Sequence, residues 1–521
     1  MPLVPFGEWL PDQPDFNNPG AATITNVVPR TKGSYGPMSS PVAYSGALTG
    51  RCQGTYSARD PAGNVYVFAG DASRLYLLQA GATSFADVSK SAGGPYAVGA
   101  PPVGFWSSTS FGARVVFTDG ADPIQTFLIG TDSAFSDLAA AAPTARYCAV
   151  IRDFLMVGNT VDDTDGEQPQ RLWWPAIGDP TNWPTPGTNT AIEVQSDYQD
   201  LEQTDLGAIT GLVGGLLTSA DGAAFCERGI YRIAYAGSPD IFDFAVAEGA
   251  SGTLSPLSIV ERRIQTGGGT AVAVAYYLGE DDFYAFDGAS SAPLGAQKIA
   301  KTFFQDLDPS YLGYVGGVAD PINKLVFFPY MAAASAGLYN RAVVYNWDLG
   351  RWGLIDLTAI PAEWFDRSFT IGYTLDGLDD LGLSLDALPF SLDSRVWTSG
   401  NPILSVFDGT HKLNYTTGPS LAPTVETSEQ QFFPGRRTRV DRAIRPIVDG
   451  TPASVSVGHR EQLAAGVTYE AAVPVNILGE CPQRVTGRYV RFRLTLPAAT
   501  TFSHLQGIEI GEGGVRQEGV R

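Results

Sequence analysis

Histidine and cysteine are scarce in this chain, three and four residues among 521. His411, His459 and His504 each lack a second His or Cys at ligand spacing, and Cys52, Cys148, Cys226 and Cys481 form no CxxC pair. Zinc sites need such clusters, so no metal site is expected, and the thiols read as reduced, buried and inert. Charge is sparse too: charged residues make up 17% of the chain, against roughly 25% in ordinary soluble domains. Lys+Arg total 34 and Asp+Glu 54, and 34 − 54 gives a formal net charge of −20. Phosphate affinity comes from Lys and Arg, so such a chain is a poor general binder of nucleic acid. An acidic wall past which DNA slides without sticking remains compatible with this balance.

Long apolar runs are missing. No stretch approaches the ~18 residues of a membrane span, so no membrane anchor is expected. The opening Met1-Pro2-Leu3-Val4-Pro5-Phe6-Gly7 has neither a basic n-region nor an apolar h-region, so no signal peptide is expected and assembly in a bacterial cytoplasm is. Catalytic signatures are absent as well: no GxSxG elbow, no GxxxxGK[ST] loop, and no GxGxxG after a strand. Gly267-Gly268-Gly269 reads as a loop, since nothing helical follows it.

Glycine and proline are abundant, 59 and 36 residues spread along the whole chain. Short apolar, β-branched and aromatic runs separated by Gly, Pro, Asp and Asn dominate, which predicts an all-β protein. Five hairpins stand out. They pair residues 65–70 with 74–78, 147–151 with 154–158, 224–226 with 230–233, 271–277 with 283–288, and 325–328 with 342–347. Their spacing suits the four-stranded blades of a β-propeller over residues 45–374, with about six or seven blades. A row of consecutive β-sandwiches is the structural alternative.

The flanks differ in texture. Residues 1–44 carry many prolines and glycines and few strand formers, which predicts an extended N-terminal arm that is free or lies along a neighbouring subunit. Trp9 and Phe16 are its aromatic candidates for that contact. Residues 375–420 read as a loop-rich connector, and 421–521 as a C-terminal β-sandwich with a Gly-rich tail, mobile or docked on a partner. In Val490-Arg491-Phe492-Arg493-Leu494-Thr495-Leu496, Val490, Phe492, Leu494 and Leu496 share one face.

Two acidic features and one basic cluster bear on function. Asp162-Asp163-Thr164-Asp165-Gly166-Glu167 suggests a calcium loop, but the Glu six residues after the Gly is missing, so a solvated turn is expected. Asp281-Asp282 and Asp379-Asp380 are adjacent carboxylates, which on a strand point to opposite faces and cannot flank one glycosidic bond together. Turn roles are expected for them. Arg436-Arg437-Thr438-Arg439-Val440-Asp441-Arg442-Ala443-Ile444-Arg445 holds five arginines. Read as a strand, it turns Thr438, Val440, Arg442 and Ile444 inward and Arg437, Arg439, Asp441 and Arg445 outward. An outward Arg row suits a contact with the acidic surface of a neighbouring copy. It also suits DNA phosphates or plain solvent.

Several stretches together carry a family resemblance. They are residues 6–15 (FGEWLPDQPD), Asn17-Asn18-Pro19-Gly20, Asn26-Val27-Val28-Pro29, residues 177–183 (IGDPTNW), Val344-Tyr345-Asn346-Trp347 with Arg351-Trp352, and residues 388–394 (LPFSLDS) with Trp397. The chain resembles bacteriophage virion structural proteins, in particular the tail nozzle or packaged-DNA stabilisation family of short-tailed phages. The resemblance implies a propeller-bearing subunit of a hexameric ring below the portal-adaptor protein. That ring would enclose the DNA exit channel, hold the packaged genome and attach tail fibres or spikes. It implies no catalytic residue and no cofactor. The expectation is therefore a non-enzymatic part of the virion tail. A receptor- or glycan-binding tail adhesin is the alternative, followed by a polysaccharide-degrading propeller enzyme.

Overall fold

The computed structural model describes residues 3–79, 82–101, 103–201, 205–218, 221–265, 271–370, 400–441, 444–511 and 513–518. Residues 375–399 of the expected 375–420 connector, the Asp379-Asp380 pair, the 388–397 motif, Gly267 to Gly269 and Arg442 lie outside these residues. The rest of that connector holds the strands Pro402–Asp408 and Lys412–Tyr415, so the propeller runs past the expected boundary at 374.

Alternating apolar runs and tight turns build a β-propeller. Among the described residues, seven antiparallel four-stranded sheets form its blades. The first strands of the blades are, in order, Gly54–Arg59, Ser107–Phe111, Thr144–Ile151, Ile209–Gly214, Val260–Gln265, Val318–Asp320 and Ala362–Phe369. In the first six blades the remaining three strands follow in sequence. The seventh is different: after Pro402–Asp408 and Lys412–Tyr415, its outer strand is Val42–Ala47, from the other end of the chain. Tyr415 pairs with Val42 and Asn414 with Ala43, and the Tyr44 and Tyr415 rings lie 4.7 Å apart.

Blade 7 then meets blade 1 through side chains. The Trp364 indole N–H donates to Thr55 Oγ1 at 3.0 Å, the Ser57 hydroxyl donates to Ser368 Oγ at 3.2 Å, and the Cys52 amide donates to the Glu363 carboxylate at 3.2 Å. All five expected hairpins are present, each as adjacent strands of one blade.

Many acidic residues serve these turns. Asp71 accepts the amides of Ser73 and Arg74, Asp119 those of Ala121 and Asp122, and Asp287 those of Ala289 and Ser290. Short carboxylates satisfy turn amides that no ladder partner reaches, so part of the negative balance is architectural.

The C-terminal region is a sandwich that contains the N-terminal segment. One five-stranded sheet joins Leu3–Pro5, Val27–Thr31 and Ser34–Pro37 to Leu505–Ile510 and Ile444–Val448. The opposing six-stranded sheet sets Ala21–Thr25 beside Thr424–Thr427, Tyr489–Thr495, Ser454–Arg460, Thr468–Tyr469 and Val473–Pro474. Residues 3–37 are therefore woven into their own chain, where an arm reaching for a neighbour was expected. The reason lies in their scattered apolar residues: Val4, Phe6, Trp9, Ile24 and Val27 are all buried and share one core with Val455, Phe492 and Leu494. Val490, Phe492, Leu494 and Leu496 are all buried, as the alternation predicts. Of the Gly-rich tail, Val515–Glu518 is a strand paired with Arg437–Asp441.

The same core runs on into blades 5 and 6, through Tyr276, Phe283, Phe328 and the fully buried Trp352. Arg351 fixes the junction. Its guanidinium donates to the carbonyls of Thr31 and Lys32 at 2.8 Å, to the Gly7 carbonyl, and to the Tyr35 hydroxyl at 2.5 Å. Asp12 accepts the first amides of the helix Ala300–Asp306, from Lys301 at 2.9 Å and Thr302 at 2.8 Å, an N-terminal cap supplied from far away in sequence.

Candidate functional site

The first strands of the seven blades surround a central cavity of about 1290 Å³. They come close because small residues let them: a Cβ on Gly214 would sit 2.0 Å from the Val150 carbonyl. The lining is hydroxyl-rich in blades 1 and 2, where the Ser108 hydroxyl donates to the Thr55 carbonyl at 3.1 Å and the Tyr56 hydroxyl to Ser110 Oγ at 2.7 Å. Charges on the wall nearly balance, with Arg152, Arg262 and Arg367 against Glu261 and Asp366. Burial raises the Asp366 carboxyl above its ordinary value. Burial also pushes the Cys148 thiol, beside this wall, up to about 12, and the Cys226 thiol up to about 12. A thiol so raised stays protonated at neutral pH and is a poor nucleophile. All four cysteines are free and buried.

The histidines sit apart from one another. His411 Nδ1 lies 2.7 Å from the Glu363 carboxylate, His459 Nε2 lies 3.3 Å from Glu470, and His504 Nδ1 lies 2.9 Å from Ser34 Oγ. Among the described residues, no group of three His, Cys, Asp or Glu side chains is placed to hold a metal ion. The acidic turn at 162–167 is held together by bonds within the chain. Asp162 accepts the amides of Thr164 and Asp165. The buried Arg171 reaches Asp162 at 3.1 Å, Asp165 at 2.7 Å and Asp200 at 2.6 Å. Of the adjacent pair, Asp282 accepts the amides of Phe283 and Gly295, and Asp281 accepts the Tyr284 hydroxyl. Both serve turns.

The candidate interface residues fall in three places. Trp9 is 5% exposed, so its ring is covered by its own chain and is not offered to a neighbour. Phe16 is 42% exposed and rests edge-on against Tyr489, ring centroids 5.7 Å apart. The arginine run, expected as one strand, splits into Arg437–Asp441 and Ile444–Val448 in two different sheets. Within the first, Thr438 and Val440 are buried, Arg437 is exposed and Arg439 half-buried, as alternation predicts. Each outward arginine also finds a carboxylate of its own chain. Arg437 lies 2.6 Å from Glu461, Arg439 3.6 Å from Glu518, and Arg445 3.5 Å from both Glu480 and Glu509.

Two features had no visible sequence signal. One is a turn after Val473–Pro474, where Ile477 is fully exposed and Leu478 is 68% exposed. The other is a cavity of about 330 Å³ between the sandwich and blades 6 and 7, floored by Val28, Pro29, Met38, Phe327 and Leu404. Among the described residues no helix is long and apolar enough to cross a membrane.

No protein-family model matches the chain, and no curated protein matches it. Among solved structures it is similar to the computationally designed Ika8 protein, at 9% identity and a TM-score of 0.35, over 73% of this chain and 99% of that one. It is also similar to a quinoprotein alcohol dehydrogenase-like protein from Bacteroides thetaiotaomicron, at 11% identity and a TM-score of 0.30, over 58% of this chain and 65% of that one.

Proposed function

We propose that this chain is a structural subunit of a bacteriophage tail ring, the nozzle. Such a ring encloses the DNA exit channel, retains the packaged genome and carries other tail parts. The observation that carries the reading is the double use of the N-terminal segment. Strands within residues 3–37 build the sandwich, and Val42–Ala47 completes the last blade. A force that draws the two regions apart therefore loads ladders in both, which suits a subunit under load from packed DNA. The continuous core across the junction and the Arg351 contacts suit the same task.

The channel of the assembly lies between copies in this reading, apart from the cavity within each propeller. A net charge of −20 suits a passage that DNA leaves without sticking. The partners are then further copies in a hexameric ring, a portal-adaptor protein above, fibres or spikes alongside, and the genome inside. The site of action is the virion tail, after assembly in the host cytoplasm.

The test is electron microscopy and mass photometry of the purified full chain over a range of concentrations. Closed rings with an opening wide enough for duplex DNA are expected. A chain that stays monomeric throughout, or forms trimers, overturns the reading, and trimers would point to an adhesin.

A further inference from the structure

The first strand of blade 2, Ser107–Phe111, differs from the corresponding strands of the next blades. It carries four hydroxyls in a row, Ser107-Ser108-Thr109-Ser110, and every residue in it is half-buried. Thr144–Ile151 and Ile209–Gly214, the same strands of blades 3 and 4, are mostly buried. A strand that served only to pack one blade on the next would carry apolar side chains at these places. The hydroxyl run instead borders the central cavity of about 1290 Å³. That volume exceeds the roughly 300–1,000 Å³ of ordinary small-ligand clefts.

Two of these hydroxyls keep hydrogen-bonding capacity to spare. Ser108 donates to the Thr55 carbonyl at 3.1 Å and Ser107 accepts the Cys148 amide at 3.3 Å, so both are engaged. Ser110 accepts from the Tyr56 hydroxyl at 2.7 Å, which leaves its own O–H to donate. Thr109 makes no side-chain hydrogen bond among the described residues. Arg367, on the first strand of blade 7, is exposed and lines the same cavity. Among the described residues it makes no ion pair and no side-chain hydrogen bond. Burial raises the Tyr56 hydroxyl above its ordinary value, the Ser110 hydrogen bond opposes this, and the charges of Glu261 and Arg367 both reach it. Groups from blades 1, 2, 5 and 7 therefore converge on one part of the cavity.

The other charges on the wall are already committed. Arg152 stacks 3.8 Å from the Tyr235 ring centroid and lies 3.5 Å from Asp153. Arg262 donates to the Tyr276 hydroxyl at 3.1 Å and lies over the Trp347 ring. Glu261 is engaged within the chain, and Asp366 is hydrogen-bonded by the Thr55 side chain. The uncommitted charge is thus a guanidinium, in a chain of net charge −20. A guanidinium presents paired N–H donors that match carboxylate and phosphate oxygens. The hydroxyls beside it both donate and accept, as the hydroxyls of a sugar do. We propose that the central cavity of the propeller binds a small polyhydroxylated anion, a sugar acid or a sugar phosphate, with its charge on Arg367 and its hydroxyls on Thr109 and Ser110. The cavity lies within one propeller, so the proposal goes beyond the ring reading and does not depend on it.

Isothermal titration calorimetry of the full chain tests it, with glucuronate, glucose 6-phosphate, glucose and inorganic phosphate as separate probes. At least one of the two anionic sugars is expected to bind at least ten-fold more tightly than glucose and than inorganic phosphate. A preference for glucuronate identifies the anion as a carboxylate, and a preference for glucose 6-phosphate identifies it as a phosphate. Equal affinities mean that the guanidinium takes either. Arg367→Gln is expected to lower the affinity for the anionic sugar at least ten-fold. Since Arg367 makes no bond within the described chain, circular dichroism and the melting temperature should stay those of the wild type. Thr109→Val with Ser110→Ala should weaken the same probe at least ten-fold. Binding of neither anionic sugar overturns the proposal, as does an affinity that Arg367→Gln leaves unchanged. Inorganic phosphate that binds as tightly as the anionic sugars also overturns it, since the hydroxyls then contribute nothing. None of these outcomes bears on ring assembly, which mass photometry reads separately.

Discussion

The carboxylate of Asp15 lies 2.5 Å from the guanidinium of Arg491, joining the N-terminal segment to a central strand of the sandwich. The same carboxylate is 3.1 Å from Arg460. Behind it, Glu429 lies 2.5 Å from Arg460 and 3.3 Å from Arg491, and Glu426 lies 2.8 Å from Arg493. The Tyr469 hydroxyl also donates to Glu426. Three arginines and three carboxylates thus form one network, and its members differ sharply in exposure.

That difference predicts unequal costs. The Glu429 side chain is 1% exposed and the Asp15 side chain 51%. Removing one member of a buried ion pair strands the other charge, at about 3–5 kcal/mol. Exposed pairs contribute about 1 kcal/mol or less. Glu429→Ala should therefore destabilise the chain several-fold more than Asp15→Ala, read as the difference in urea unfolding free energy. Equal losses would show that water reaches the inner carboxylates.

Arg351→Lys is expected to loosen the propeller from the sandwich. One guanidinium plane serves four oxygens: the carbonyls of Gly7, Thr31 and Lys32, and the Tyr35 hydroxyl. It also stacks 4.5 Å from the Tyr35 ring centroid. A lysine ammonium has three donors and no flat face. A loss of about 1–2 kcal/mol follows from unmade bonds to these part-buried carbonyls. Limited proteolysis should then cut between Pro5 and Ser34 sooner than in the wild type.

What the sequence revealed was local. The hairpin of Thr144–Ile151 and Phe154–Asp162 shows as two apolar runs around Arg152-Asp153, and Arg152 indeed takes positive φ in the turn. Blade 2 escaped notice because its first strand, Ser107–Phe111, is polar and half-buried throughout. The closing strand Val42–Ala47 escaped because its partner Tyr415 lies hundreds of residues away, and no local pattern encodes that distance. Trp9 looked like an arm residue because Pro and Gly surround it. Its burial comes from the core it shares with Val455, Phe492 and Leu494, again a distant match. The facing of the Arg strand was legible from alternation alone, while the carboxylates that meet it were not.

Glu363 gives a pH dependence with a definite sign. Its side chain is 3% exposed, and burial raises its carboxyl above the ordinary glutamate value, opposed by hydrogen bonds from His411 and the Cys52 amide. The folded state then holds this proton to higher pH than the unfolded state does. Stability from this group is greatest below the ordinary glutamate pKa and falls as pH rises to the raised folded value. Urea midpoints measured from pH 4 to 7 should show this decline superimposed on the other titrations. Glu363→Gln should remove it, so that the wild-type-minus-variant difference in stability falls with pH. A difference curve that instead rises with pH would mean the folded state favours the ionised form.

The Arg strand separates two ways of building the ring. Arg437 and Arg439 each meet a carboxylate of their own chain, Glu461 and Glu518, at partly exposed positions. Such pairs hold about 1 kcal/mol or less, and reversal sets like charges side by side, so Arg437→Glu with Arg439→Glu should cost about 1–2 kcal/mol of monomer stability. Assembly should survive, because these guanidinia already have partners within their own chain. Mass photometry at matched folded concentration reads this directly. If rings vanish while the monomer stays folded, the arginine face itself meets the neighbouring copy, through carboxylates that outcompete Glu461 and Glu518. If rings persist in this variant, the contact between copies lies elsewhere and the arginines hold the sandwich edge through Glu461 and Glu518.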